Sequence, residues 1–157
     1  MFKHILLPVD GSRTSTLAVE KTSNLAKALG SKVTAVYVLD PYPFASAGPD
    51  FAFGQAQYMC AITKEATEVL DQVKAMFAAK GLAVDVMTVD AYAVWKGIID
   101  QAQKLGADLI VMGSHGRHGV EKLMLGSVAQ RVVSHAPMSV LVVHQDAAQA
   151  GATQTAG

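Results

Sequence analysis

Residues 28–38 read ALGSKVTAVYV, and the same change of composition returns at 78–89, AAKGLAVDVMTV, and at 104–112, KLGADLIVM. Each stretch runs from helix-forming residues through one glycine into an apolar run. Glycine is the favoured left-handed residue just past a helix. Apolar runs bounded by such signals suit buried strands. Repeated helix–glycine–strand junctions predict a chain in which helices and strands alternate. The runs lack strict apolar–polar alternation, so both faces of each strand must be covered. That is the signature of a parallel sheet with helices on both sides, an α/β architecture.

Working outward, residues 3–9, KHILLPV, read as a first strand, with Pro8 at its end rather than its middle. Further strands are expected at 32–38, 83–89, 108–112 and 139–143. Helices are expected at 14–29, 58–79, 94–105 and about 127–135. In the second of these, Ile62, Ala66, Val69, Val73 and Phe77 form one stripe of the helical period. Residues 40–57 hold three prolines and two glycines and read as a long loop. Right-handed crossovers place the loops that follow the strands at one edge of the sheet. Residues 1–145 are expected to form one domain. The last twelve, 146–157, carry no large apolar residue and are expected to be disordered.

The 157 residues are 51% hydrophobic and 17% charged, a globular composition. Lys plus Arg and Asp plus Glu are 13 each, which argues against a general electrostatic grip on nucleic acid. The single cysteine, Cys60, builds no disulfide within one chain. No stretch reaches the roughly 20 apolar residues of a membrane helix, and the N-terminal apolar run is too short for a signal peptide. A cytoplasmic protein is expected.

In an open parallel sheet, ligands bind outside the carboxyl ends of the strands where the order reverses. Two such ends draw attention: Val9-Asp10-Gly11-Ser12 after the first strand, and Gly113 opening GSHGRHGVEKLMLGS (113–127) after the fourth. Glycines let backbone N–H groups approach an anion or adopt positive φ. Gly126-Ser127 then opens a helix, whose first N–H groups and dipole favour phosphate. Ser127 is a candidate either for the helix N-cap or for a hydroxyl donor to phosphate. The chain has no GxxxxGK[ST], GxGxxG or GxSxG. His115 and His118 form an HxxH pair without a third ligand nearby, so no metal site is expected. His4 and His135 read as structural. No general base with a positioning partner is legible, so no catalytic residue is assigned. A phosphoacceptor receiver domain also alternates β and α, but Gly11-Ser12 follow Asp10 where it needs an acidic pair, and no lysine follows the last strand.

Gly113-x2-Gly116-x9-Gly126-Ser127 resembles the ATP-binding signature of the universal stress protein family. HILLPVDGS is similar to that family's first strand and loop, and HAPMSVLVV to its closing strand. The resemblance covers about residues 2–144. It implies a Rossmann-like, five-stranded parallel sheet ordered 3-2-1-4-5, sandwiched by four helices. It implies ATP as ligand, with Mg²⁺ as a candidate companion. Pro8, Val9, Asp10 and Val38 match the adenine and ribose positions. Gly113, Ser114, His115, Gly116, Gly126, Ser127 and Val128 match the phosphate positions. Arg117, His118 and Lys122 are nearby basic candidates. Many ATP-binding members carry a second hydroxyl residue where Ala129 stands here. The resemblance also implies a homodimer through the last strand, Ser139 to Val143, an edge liable to pair with another chain.

The implied function is an ATP-binding, nucleotide-responsive regulator of stress adaptation with unidentified protein partners. The alternatives are a nucleotide-independent dimeric interaction module and a slow ATPase. The loop at 40–57, with Phe44, Phe51 and Phe53, is a candidate cover for the ligand.

Overall fold

The computed structural model describes residues 1–41, 52–116 and 124–145. Five strands and four helices alternate along it: β1 (His4–Pro8), α1 (Arg13–Leu29), β2 (Lys32–Leu39), α2 (Ala52–Ala78), β3 (Asp85–Asp90), α3 (Val94–Leu105), β4 (Leu109–Gly113), α4 (Ser127–His135) and β5 (Ser139–Val143). All strand pairs are parallel and the order is β3-β2-β1-β4-β5. The central strand β1 pairs with β2 from His4↔Lys32 to Pro8↔Val36, and with β4 through Ile5↔Leu109.

The period-2 geometry of a strand splits each apolar run between two cores. Ile5, Leu7 and Val9 join Val33, Ala35 and Val111 against α1 and α2, where Ala18, Val19, Val69, Val73 and Phe77 are buried. Leu6, Val36, Ile110 and Met112 join Ile98, Ala102, Ala129 and Val132 of α3 and α4 on the other face. This two-sided burial is why the strand sequences do not alternate.

Helix α1 starts where Ser12 accepts a hydrogen bond from the Ser15 N–H, 3.2 Å away, and it ends at Gly30 with φ 67°. Helix α3 ends in the same way at Gly106, φ 65°. Both glycines hold the left-handed conformation that the junction reading required.

Beyond one-residue differences at other element ends, the structure adjusts or settles three sequence expectations. Helix α2 begins at Ala52, six residues before the expected 58. The prolines that suggested a loop stop at Pro49, and Gly54 costs a helix only about 1 kcal/mol. Strand β3 begins at Asp85 rather than 83. Ser127 is the first helical residue of α4, and the N-cap is Gly126, which has no side chain to cap with. Phe44, Phe51, the side chain of Phe53 and the C-terminal tail lie outside the described residues.

At the end of the sheet opposite the carboxyl ends of the strands, Asp108 pins the start of β1. Its carboxylate oxygens accept hydrogen bonds from the N–H groups of Lys3, 2.9 Å, and His4, 3.1 Å. The Lys3 N–H is the main cause that holds its carboxyl below the usual carboxylate range, against the opposing cost of desolvation. The His4 ring spans the Leu105 carbonyl at 3.2 Å and the Thr34 hydroxyl at 2.9 Å. His135 lies 4.8 Å from the Trp95 ring centroid, and Arg131 lies over the same ring. The His4 ring is half-buried between Leu105 and Thr34, and His135 packs beside Trp95 at the surface.

Candidate functional site

Because the order reverses between β2-β1 and β4-β5, the loops after β1 and β4 leave the sheet in opposite directions and a crevice opens between them. It is a cleft of about 600 Å³. All eleven residues that the family resemblance matches to adenine, ribose and phosphate positions line it: Pro8, Val9, Asp10, Val38, Gly113, Ser114, His115, Gly116, Gly126, Ser127 and Val128.

The cleft has two chemically different ends. Val36, Val38, Val94, Ile98 and Met112 supply apolar side chains from β2, α3 and β4. Val94 and Ile98 were not singled out from sequence. Their i, i+4 spacing marks a helix face, but nothing in the chain says that this face turns toward the ends of β1 and β4. At the other end, Gly113 to Gly116 and the start of α4 supply mainly backbone.

The three signature glycines act through space rather than through conformation. The glycines with positive φ among the described residues are Gly11, Gly30, Gly81 and Gly106, and none of the three is among them. A Cβ at Gly113 would stand 2.6 Å from Thr14 Oγ1 and 2.9 Å from the Ser15 nitrogen. At Gly116 it would stand 3.0 Å from Asp10 Oδ2, and at Gly126 3.1 Å from the Ser114 carbonyl oxygen. Glycine at these places lets the first turn of α1, the β4 loop and the start of α4 come within backbone distance of each other.

Main-chain hydrogen bonds fix that arrangement. The Ser114 N–H donates to the Val143 carbonyl at 2.9 Å, and the Gly126 N–H donates to the Ser114 carbonyl at 2.7 Å. The first bond inside α4 runs from Gln130 N–H to Gly126 O at 2.9 Å. The N–H groups of Ser127, Val128 and Ala129 therefore precede the helical ladder, where an anion finds donors. Ala129 itself is 2% exposed and packs its methyl group into the α3–α4 core.

Asp10 is the single carboxylate among the described residues of the lining. Its Oδ1 accepts from the Ser12 N–H at 2.9 Å, and its own N–H donates to Ser15 Oγ at 3.2 Å. Ser114 Oγ and His115 Nδ1 are 3.0 Å apart. Among the described residues no three His, Cys, Asp or Glu side chains gather as a metal site. Arg117, His118 and Lys122 lie outside the described residues. No described helix is long and apolar enough to cross a membrane.

The fold and its sequence have known counterparts. Residues 1–144 match the model of the universal stress protein family. A universal stress protein of Methanocaldococcus jannaschii is 36% identical over 143 residues, which cover 91% of this chain and 82% of that one. The structure of the universal stress protein UspA from Lactobacillus plantarum superposes with a TM-score of 0.82 at 26% identity, over 90% of this chain and 97% of that one. A further universal stress protein, solved in complex with cAMP, shares the fold with a TM-score of 0.61 at 24% identity, over 91% of this chain and 97% of that one. The family match over residues 1–144 and the 36% identity over most of both chains agree, and the chain belongs to the universal stress protein family.

Proposed function

We propose that the cleft binds ATP and that the protein is a nucleotide-responsive regulator of stress adaptation. The observation that carries this reading is the union, in one cleft, of an apolar wall and a glycine-lined cradle of backbone. The apolar side of the cleft, where Val38 and Val94 are partly exposed over the buried Val36 and Ile98, suits a purine, which gains from burial of its faces. Asp10, on the lining with its carboxylate beside Gly116, suits a ribose hydroxyl. The Gly116 N–H and the leading N–H groups of α4 suit phosphate oxygens. If Mg²⁺ travels with the phosphates, Asp10 is the carboxylate that would meet it. With Ala129 in place of a hydroxyl residue, phosphate recognition rests on main-chain donors. A relative of the same fold was solved with a nucleotide, cAMP; that likeness concerns the fold, and the cleft carries the argument here.

No residue on the lining is assigned as a general base, so the reading is of a protein that acts through its bound state. We place it in the cytoplasm, which cell fractionation checks. Calorimetric titration of nucleotide-free protein with ATP, with and without Mg²⁺, tests the main claim. One saturable site per chain, with adenosine binding more weakly, is expected. A folded protein that takes up no ATP would sink the reading and leave the nucleotide-independent interaction module.

A homodimer through β5 belongs to the same proposal. The two sheet edges differ. Strand β3 carries Asp85 and Asp90 at its ends, whereas Ser139–Val143 is uncharged. Leu141 on β5 is 43% exposed and Val133 on the adjoining α4 is 47% exposed. Uncharged, apolar edges pair readily with a second copy. Sedimentation at micromolar concentration should give a dimer, and Leu141→Asp should give a folded monomer. A monomeric wild type would refute the assignment.

A further inference from the structure

The first turn of α1 contributes hydroxyl groups that point away from solvent. Thr14 is 8% exposed and Ser15 is 5% exposed. Each has a defined partner. Ser15 Oγ accepts from the Asp10 N–H, on the β1 side of the cleft. Thr14 Oγ1 donates to the His115 carbonyl, on the β4 side, in a short hydrogen bond. Ser12 Oγ reaches the same carbonyl at 3.4 Å while it caps the helix. One helical turn thus holds both arms of the cleft.

The geometry of the peptide gives this contact a consequence. The described residues contain no cis peptide bond. In a planar trans peptide, the C=O of one residue and the N–H of the next point to opposite sides. With the His115 carbonyl drawn to the hydroxyls of α1, the Gly116 N–H is turned away from α1. The start of α4 lies close to this nitrogen. There a Cβ on Gly126 would lie 3.9 Å from the Gly116 nitrogen, and both glycines line the cleft.

We infer that Thr14 is a positioning residue for phosphate: it touches no ligand, and it orients the His115–Gly116 peptide so that the Gly116 N–H points into the cleft. This inference rests on the nucleotide reading above. It assigns a role to a residue outside the glycine signature, on a different element, and it predicts an effect confined to phosphate-bearing ligands. Without the Thr14 hydroxyl, the His115 carbonyl keeps only the long 3.4 Å contact from Ser12 Oγ, so the donor is held less firmly, while the apolar wall is untouched.

The test compares Thr14→Val, which keeps the shape and removes the hydroxyl, with Thr14→Ser, which keeps the hydroxyl. ATP and adenosine are titrated into each variant and into the wild type, and melting curves confirm folding. Thr14→Val should bind ATP about tenfold more weakly, the worth of one well-placed hydrogen bond to a charged group. Its adenosine affinity should stay within about twofold of wild type. Thr14→Ser should restore ATP binding. If Thr14→Val does not fold, Thr14→Ala replaces it in the same comparison. Wild-type ATP affinity in the hydroxyl-free variant would overturn the positioning role and leave the nucleotide reading intact. An equal loss for adenosine and ATP would overturn it too, because it would mean a general disturbance of the cleft. A wild type that binds neither ligand would overturn both readings together.

Discussion

Gly116→Val is expected to lower ATP affinity by at least about 100-fold, or roughly 2.7 kcal/mol, while the protein stays folded. A side chain at this position begins 3.0 Å from Asp10 Oδ2. That is tighter than nine in ten real Cβ contacts, and valine adds two methyl groups beyond it. Either the Asp10 carboxylate swings aside or the loop lifts. The first outcome removes the ribose partner and the second withdraws the Gly116 N–H. Both act at the point where the two arms of the cleft meet. Gly116 is exposed and lies outside both cores, so stability should change little. Calorimetric titration of the variant beside the wild type measures the effect. Undiminished ATP binding by the variant would mean that phosphate does not sit where Gly113, Gly116 and Gly126 converge.

Phe77→Ala should give the largest loss of stability of any single substitution considered, about 3–5 kcal/mol. Phe77 lies on α2, is 0% exposed and is the largest of the fully buried side chains. It packs in the core that α1 and α2 form against the sheet, with Val33, Leu70 and Val73 in the same cluster. Its removal costs the transfer energy of the ring and leaves a cavity, because close-packed neighbours relax only partly. Set against a total stability of about 5–15 kcal/mol for a domain of this size, the loss is a large share. Urea unfolding of both proteins measures it as a lower midpoint at an unchanged slope. A loss below about 1 kcal/mol would mean that α2 shifts to fill the space. The cleft lies largely on the other core, so residual ATP binding at low temperature should persist in the folded fraction.

The two predictions probe different levels of order, and the levels differ in how far the sequence reveals them. Helix α3 and strand β5 have the bounds that the sequence reading gave, Val94–Leu105 and Ser139–Val143. Their limits are marked by local signals: Gly106 after one, Pro137 before the other. The start of α2 was misread because its flanking prolines are a signal about residues 41–49 alone and say nothing about Ala52. The sheet order came from a resemblance to a family and not from periodicity, since an apolar run does not name its neighbour. Ser127 was left open between cap and phosphate donor. Its place as first helical residue, with Gly126 as N-cap, excludes the cap.

What the sequence by itself determined is what chain-local physics controls. Glycine spacing after helices, β-branched runs and apolar stripes specify which residues become strands and helices, and hence an alternating α/β chain covered on both faces. The glycine signature likewise marks where backbone lies bare. Only the tertiary structure decided what the bareness is for. The three glycines of the signature do not need positive φ; they need room, because Thr14, Asp10 and Ser114 arrive from elsewhere in the chain. The role of Thr14 is illegible in sequence for the same reason. Its partner, the His115 carbonyl, is 101 residues away. A hydrogen bond between a side chain and a distant main-chain atom leaves no spacing or composition to read, and it exists only once β1 and β4 lie side by side.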